Sequence, residues 1–241
     1  MQSLIPAHSR TLIKRRLPIW AWRYLRKQAG DTSPLLVDQI GRYLPEAPVI
    51  LEAGANDGSS TVSLWKQWPK AQIHAFEPTP DAYEKLAMAV DGLPNVHCAN
   101  VALGARQEYL KMSVSSNASL SSSLLRPARV TEFHHSVDFV GEVEVPVVNP
   151  QQWLSERGVS QVDLVWFDMQ GYEPLVVAAC PELFKSVRVL KTEVNLVEVY
   201  EGAILYPEFR TLLESIGFSI IEESFGKAQG DIICVRKDLL D

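Results

Sequence analysis

The sequence predicts an α/β protein built on a doubly wound, mostly parallel sheet of Rossmann-like type. Three observations predict it. Short apolar runs of strand length recur from residue 49 onward, and several end at glycines or acids. Segments of helical pattern lie between them, some opened and some stopped by proline. Strand and helix alternate through the first ~50 residues of this region, as parallel strands joined by helical crossovers do.

Val49–Ala53 is a short apolar run that fits a buried parallel strand. Ser59–Trp68 reads as a helix stopped by Pro69, and Ala71–Phe76 as the second strand. Asp81–Val90 reads as a helix capped at Thr79, and Asn95–Val101 as the third strand. The rhythm breaks over residues 104–148. Tyr109–Val114 and Glu142–Val148 alternate like half-exposed strands, around a serine-rich stretch that reads as a mobile loop. The rhythm then returns. Pro150–Arg157 reads as a helix and Val162–Phe167 as a strongly apolar strand. Pro174–Phe184 reads as one helix, its proline early, where a missing N–H costs little. Val187–Val194 is a strand, and Pro207–Ile216 a helix stopped by Gly217. Phe218–Glu222 and Asp231–Arg236 are the last strands. The expectation is about seven core strands with a β-rich insertion.

The chain has 241 residues, 46% apolar and 22% charged, which is ordinary globular usage and excludes a disordered or coiled-coil protein. One domain is expected over 49–241, after a basic helical arm and lead-in over 1–48. The net charge of −6 is uneven. Residues 1–30 hold Arg10, Lys14, Arg15, Arg16, Arg23, Arg26 and Lys27 and no acid, so they carry +7 and the rest −13. The acidic body argues against nucleic-acid binding. Two readings of the arm stay open. It packs on the domain or on a partner subunit of an oligomer, or its cations with Trp20 and Trp22 lie on an anionic membrane face. No run of ~18 apolar residues and no signal-peptide pattern occurs. Cys98, Cys180 and Cys234 are too scattered for a disulfide framework, so a cytoplasmic location is expected.

In an open α/β sheet, ligands bind at the carboxyl ends of the strands, where strand order reverses. The first strand runs into Glu52-Ala-Gly-Ala-Asn-Asp-Gly58. Gly54 and Gly58 permit a tight turn, and the helix that follows points its N–H groups at whatever sits there. Glu77 ends the second strand, where a carboxylate accepts hydrogen bonds from ribose hydroxyls. The pair indicates a ribose-bearing cofactor. The G-x-x-x-G spacing departs from the G-x-G-x-x-G of dinucleotide sites, and no P-loop exists. Glu52 and Asp57 suit a cofactor bearing an amine and a sulfonium better than an anionic pyrophosphate.

Six segments occur in order at strand ends: E-A-G-A-N-D-G at 52–58, F-E-P at 76–78, N-V-A-L-G at 100–104, S-L-S-S-S-L at 119–124, D-M-Q-G-Y-E at 168–173 and K-T-E at 191–193. Together they resemble the FkbM-type S-adenosylmethionine-dependent methyltransferases, over roughly residues 49–236. The resemblance implies a seven-stranded sheet with its last strand antiparallel. It implies that Glu52, Gly54, Ala55, Asn56 and Gly58 hold the methionine part of S-adenosylmethionine, Glu77 and Pro78 the ribose, and Asn100, Val101 and Ala102 the adenine. Asp168 and Glu173 match the acids of the family's D-x-E-G-x-E stretch, and Glu193 an acid ending the next strand. Gln170 stands where the family often has glutamate, and Glu52 where it more often has aspartate. The implied activity is O-methylation of a hydroxyl on a sugar, glycan or natural-product scaffold.

A sugar hydroxyl is a poor nucleophile, so a general base helps. Asp168, Glu173 and Glu193 are the candidates. Asp168 also matches the cofactor site, and Glu173 also suits a helix start. Asp168, Glu193 and Asn195 are hard oxygen ligands, which makes Mg²⁺ a secondary expectation. Ser121, Ser122 and Ser123 match a family element and are expected at the acceptor. His134 and His135, in the insertion, are candidate acceptor contacts. Tyr200, Tyr206 and Trp166 are candidates to stack on a sugar ring.

Overall fold

The computed structural model describes residues 39–240. The basic arm, and the membrane or partner contact expected of it, lie outside them. A compact unit begins at Arg42. Its main sheet has seven strands in the order β3-β2-β1-β7-β8-β10-β9. These are β1 (Val49–Ala53), β2 (Gln72–Phe76), β3 (Val96–Ala99), β7 (Leu164–Phe167), β8 (Val189–Asn195), β9 (Phe218–Phe225) and β10 (Gln229–Arg236). β1 is an inner strand, third in that order, parallel to β2 on one side and to β7 on the other. β10 runs antiparallel to both β8 and β9. The chain winds outward from β1 to β3 and then returns across β1 to β7. That reversal opens a crevice at the carboxyl ends of β1 and β7.

The helices are α1 (Ser59–Gln67), α2 (Pro80–Ala89), α3 (Val130–Phe133), α4 (Pro150–Ser155), α5 (Glu173–Ala179), α6 (Pro181–Ser186) and α7 (Tyr206–Ser215), in the predicted rhythm but for α3, a single turn within the insertion that was not expected. One expectation is corrected. The helix expected over 174–184 is two helices, because Pro181 cannot donate an N–H and Cys180 leaves helical geometry at φ −125° and ψ 52°. Apolar side chains of β1, β7, β8 and β10, among them Leu51, Phe167, Leu190 and Ile232, pack with Val176, Phe184, Phe209 and Leu213 into the main core.

The insertion forms a second sheet, β4-β6-β5, from β4 (Ala102–Leu103), β5 (Glu108–Ser115) and β6 (Phe139–Val148). The two-residue β4 was not expected; it carries too little pattern to read. β5 and β6 pair antiparallel over their length. A separate apolar cluster of Val130, Val137, Val199, Tyr200 and Ala203 joins the insertion to the segment after β8. Main-chain bonds support it, with Ala128 and Arg129 N–H both donating to the Val199 carbonyl. The serine-rich stretch is therefore not a solvated linker. Ser121, Ser122 and Ser123 are all buried.

His74 on β2 is 3% exposed, stacked on His97 of β3 and edge-on to Trp153 of α4. The Gln72 amide meets its Nε2 at 3.1 Å, and its Nδ1 has no hydrogen-bond partner. Burial, with His97 and Arg157 nearby, lowers its pKa from 6.5 to about 4. A lowered folded-state pKa contributes stability that is complete above about 6.5 and lost as pH falls through about 4. The shift corresponds to about 3 kcal/mol. His74→Phe keeps the ring packing and should remove that part of the acid sensitivity. Urea unfolding at pH 7.5 and pH 4 measures it; an acid loss as large as that of the wild type would contradict the assignment.

Candidate functional site

Three strand ends meet at the crevice. The loop after β1 hooks over β2, with Gly54 and Ala55 N–H both donating to the Phe76 carbonyl at 3.0 and 3.1 Å. It also abuts β7. Gly54 has φ +78°, and a Cβ there would lie 1.8 Å from the Asp168 carbonyl oxygen. Only glycine lets these two strand ends touch. Gly58, at φ +83°, sits against Leu86 and Ala89 of α2, so it serves helix packing. Ala55 is buried behind the loop.

Glu52 does not face the crevice, contrary to expectation. It is fully buried, and its carboxylate accepts hydrogen bonds from the hydroxyls of Ser60 and Thr61 in α1. Burial raises its pKa, and those hydrogen bonds oppose the rise. Asp57 is also occupied: it accepts from the Ser59 N–H at the start of α1, and its bonds to Ser59 lower its pKa. Neither acid lines the crevice.

Glu77 lines the cleft at these strand ends. Its Oε1 accepts from the Thr79 N–H and hydroxyl, and its Oε2 from the Asn56 N–H at 2.9 Å. Burial raises its pKa against these bonds. A carboxylate has about four acceptor positions. Three are used, so one remains, on Oε2, for a ligand hydroxyl. The expected pair of ribose bonds narrows to one. Pro78, Val101 and Ala102 line the cleft beside it. Asn100 does not; its amide donates to the carbonyls of Glu77 and Pro78 and shapes their turn.

The turn after β7 forms the opposite wall. Asp168, Met169, Gln170 and Tyr172 line the cleft. Glu173 lies beneath them, 1% exposed, accepting from the Met169 and Gly171 N–H groups at 2.6 and 2.9 Å. Burial pushes its carboxyl up to about 7. Its place beneath the turn suits a brace better than a base. Glu193, half-buried, is also outside the cleft wall and accepts from the amides of Gln170 and Gln229. Burial, then the neighbouring Asp168, pushes its pKa well above the usual range. Gln170 links it to Asp168: Nε2 lies 2.8 Å from Asp168 Oδ1 and 3.0 Å from Glu193 Oε2. The amide hydrogens thus fill the place between the two acids that Mg²⁺ would need. Among the described residues no group of three or more His, Cys, Asp or Glu is arranged to hold a metal ion. Asn195 is buried with its Oδ1 unpartnered and its Nδ2 beside Gly171. The Mg²⁺ expectation finds no support in this arrangement.

The insertion supplies the outer wall through Met112, Ser119, Leu120, Ser122 and Leu124. Of the three expected serines only Ser122 reaches the cleft. Ser121 Oγ accepts from Asn117, and the Ser123 hydroxyl donates to the Gln170 carbonyl. Asn56 Nδ2 donates to the Ala118 carbonyl at 2.9 Å and ties the glycine loop to the insertion. His134 and His135 are exposed and outside the cleft wall; His135 Nδ1 lies 3.1 Å from the Thr131 carbonyl of α3. The aromatic candidates are absent from the wall as well. Tyr200 is fully buried, Tyr206 is bonded to Glu223, and Trp166 lies under Lys191. The apolar wall of Leu103, Met112, Leu120 and Leu124 went unread in the sequence, because the segments that hold Leu103, Leu120 and Leu124 were read for their polar residues and Met112 lies in none.

The family model described as the methyltransferase FkbM domain matches residues 52–220. The 2-O-methyltransferase NoeI of Sinorhizobium fredii is 30% identical over 192 residues, 77% of this chain and 78% of that protein. The methyltransferase sdnD of Sordaria araneosa is 26% identical over 204 residues, 75% of this chain and 77% of its own. The fibrillarin pre-rRNA processing protein of Methanococcus jannaschii shares the fold, at a TM-score of 0.50 and 14% identity, over 80% of this chain and 67% of that one. Residues that make the cleft, from Gly54 to Tyr172, all fall within the matched region. The chain belongs to the FkbM family of S-adenosylmethionine-dependent methyltransferases.

Proposed function

We propose that the chain transfers a methyl group from S-adenosylmethionine to a hydroxyl of a small-molecule or glycan acceptor, with Asp168 as the general base. The observation that carries this reading is the charge of the cleft wall. Among the described residues it holds two carboxylates, Glu77 and Asp168, and no lysine, arginine or histidine. Such a wall attracts a sulfonium and offers no anchor for a pyrophosphate. The name of the NoeI relative, a 2-O-methyltransferase, supports oxygen as the acceptor atom.

The cofactor supplies an activated methyl group. The chain's own residues bind and align. Glu77 Oε2 has room for one ribose hydroxyl, and the Gly54 loop borders the same space. In this reading Asp168, on the cleft wall, takes the acceptor's proton, a role worth about 10²–10⁴-fold. The apolar residues of the insertion shield the reacting atoms from water.

Calorimetric titration of the full chain with S-adenosylmethionine, S-adenosylhomocysteine and NAD tests the cofactor. Binding of both adenosyl ligands and not NAD is expected. Labelled methyl transfer to a panel of methyl glycosides then tests the acceptor class, with Asp168→Asn reducing turnover about 10²–10⁴-fold while still binding S-adenosylhomocysteine. Failure of both adenosyl ligands to bind would overturn the reading.

A further inference from the structure

Gln170 makes more interactions than packing requires. Its backbone is left-handed, at φ +53°. That conformation costs a non-glycine residue about 1–2 kcal/mol and persists only where the surroundings impose it. The surroundings do. Its carbonyl accepts from the Ser123 hydroxyl at 2.9 Å, and the next N–H, that of Gly171, donates to Glu173. The turn so held directs the side chain between two acids. The two amide hydrogens go to Asp168 Oδ1 and Glu193 Oε2. The amide oxygen lies 2.9 Å from the Tyr200 hydroxyl, whose one hydrogen is shared with the Ser121 carbonyl at 3.0 Å. Tyr200 is fully buried, and burial raises its pKa, so the phenol remains a donor. A donor there fixes which end of the amide faces the acids. The reverse orientation would set the amide oxygen against both carboxyl groups and leave the phenol without an acceptor on Gln170.

One Asp168 oxygen is thus held, while the residue itself borders the cleft. We propose that Gln170 is a positioning residue of the methyl-transfer site: its Tyr200-oriented amide clamps Asp168 against Glu193 and keeps the Asp168 carboxylate facing the sulfonium end of the cofactor. The inference rests on the cofactor reading above. It also gives the glutamine a purpose. A glutamate at 170 would bring a third carboxyl group between two others and remove both amide donors.

The test compares two ligands that differ only in one methyl group and the charge it places on sulfur. S-adenosylmethionine carries the sulfonium; S-adenosylhomocysteine does not. The ratio of their dissociation constants therefore reads the field at that atom, which a general loosening of the site leaves unchanged. Calorimetry on the full chain measures both ligands for the wild type, Asp168→Asn, Gln170→Leu, Tyr200→Phe and the Asp168→Asn/Gln170→Leu pair. Asp168→Asn should reduce the preference for S-adenosylmethionine about fivefold, as for unit charges about 4 Å apart in water. Gln170→Leu should reduce it in the same direction, and should reduce it no further once Asp168 is asparagine. Tyr200→Phe keeps the ring and removes the hydroxyl, so it carries the test if Gln170→Leu does not fold; a smaller fall in the preference is expected. Equal weakening of both ligands by Gln170→Leu or by Tyr200→Phe would overturn the proposal and leave the cofactor reading intact. An unchanged preference in Asp168→Asn would overturn it too. Absence of binding of either ligand to the wild type would remove both.

Discussion

Gly54→Ala is expected to abolish S-adenosylmethionine binding, with affinity lowered by at least about a hundredfold, or about 2.8 kcal/mol. The smallest possible side chain suffices. Its Cβ would lie 1.8 Å from the Asp168 carbonyl oxygen, and main chain on both sides must move to admit it. The left-handed φ of +78° adds to the cost. Separation of β1 and β7 at their carboxyl ends would move Asp168 away from Glu77, so binding fails along with packing. A destabilisation of about 3 kcal/mol is expected, seen as a melting temperature lower by about 10 °C. Gly92→Ala is the control. Gly92 has φ +73°, and a Cβ added there would meet nothing within 4 Å. It should lose about 1–2 kcal/mol and bind normally. Equal binding by both variants would show that the β1–β7 contact does not form the site.

Glu77→Gln has the second largest expected effect. The carboxylate accepts from Asn56 on one oxygen and from Thr79 on the other. An amide can serve one side only and sets a donor against a donor on the other. An unsatisfied buried donor costs about 1–3 kcal/mol, so the fold weakens by that order. The remaining acceptor position is lost or turned away. Both S-adenosylmethionine and S-adenosylhomocysteine carry the ribose, so both should weaken by about tenfold or more. Their ratio should hold. That separates Glu77 from Asp168, whose replacement changes the ratio. Calorimetry reads both, and weakening of either ligand by less than about threefold would remove Glu77 from the cofactor site.

The strand ends were legible in the sequence because buried parallel strands are continuous apolar runs, and their ends carry glycines or acids. Val49–Ala53 matches its expected limits, and β2, β3 and β7 differ by one or two residues at their ends. The same continuity hid which way each side chain points. β1 is buried on both faces, so no polar alternation distinguishes Glu52 from Ala53. Glu52 turns to α1, whereas Ala53 lines the cleft. The two long strands of the insertion were legible from their alternation, but its serine-rich stretch was read by composition, and composition misled. Serines usually mean solvent, but here hydroxyls and main-chain groups of residues 113–123 satisfy one another. Gln170 was visible as a departure from a motif. Its partners, Glu193 and Tyr200, are distant in the chain, and only the fold brings them to it.

The ties between the insertion and the core end on main-chain carbonyls. Asn56 reaches the carbonyl of Ala118, Tyr200 that of Ser121, and Ser123 that of Gln170. At residues 118 and 121 the anchor therefore does not depend on which amino acid stands there. Ser119, Leu120 and Leu124, which border the cleft, take no part in these ties. Docking and the lining of the cleft are thus written in different parts of the same segment. Substitution at the residues that border the cleft can leave the segment seated.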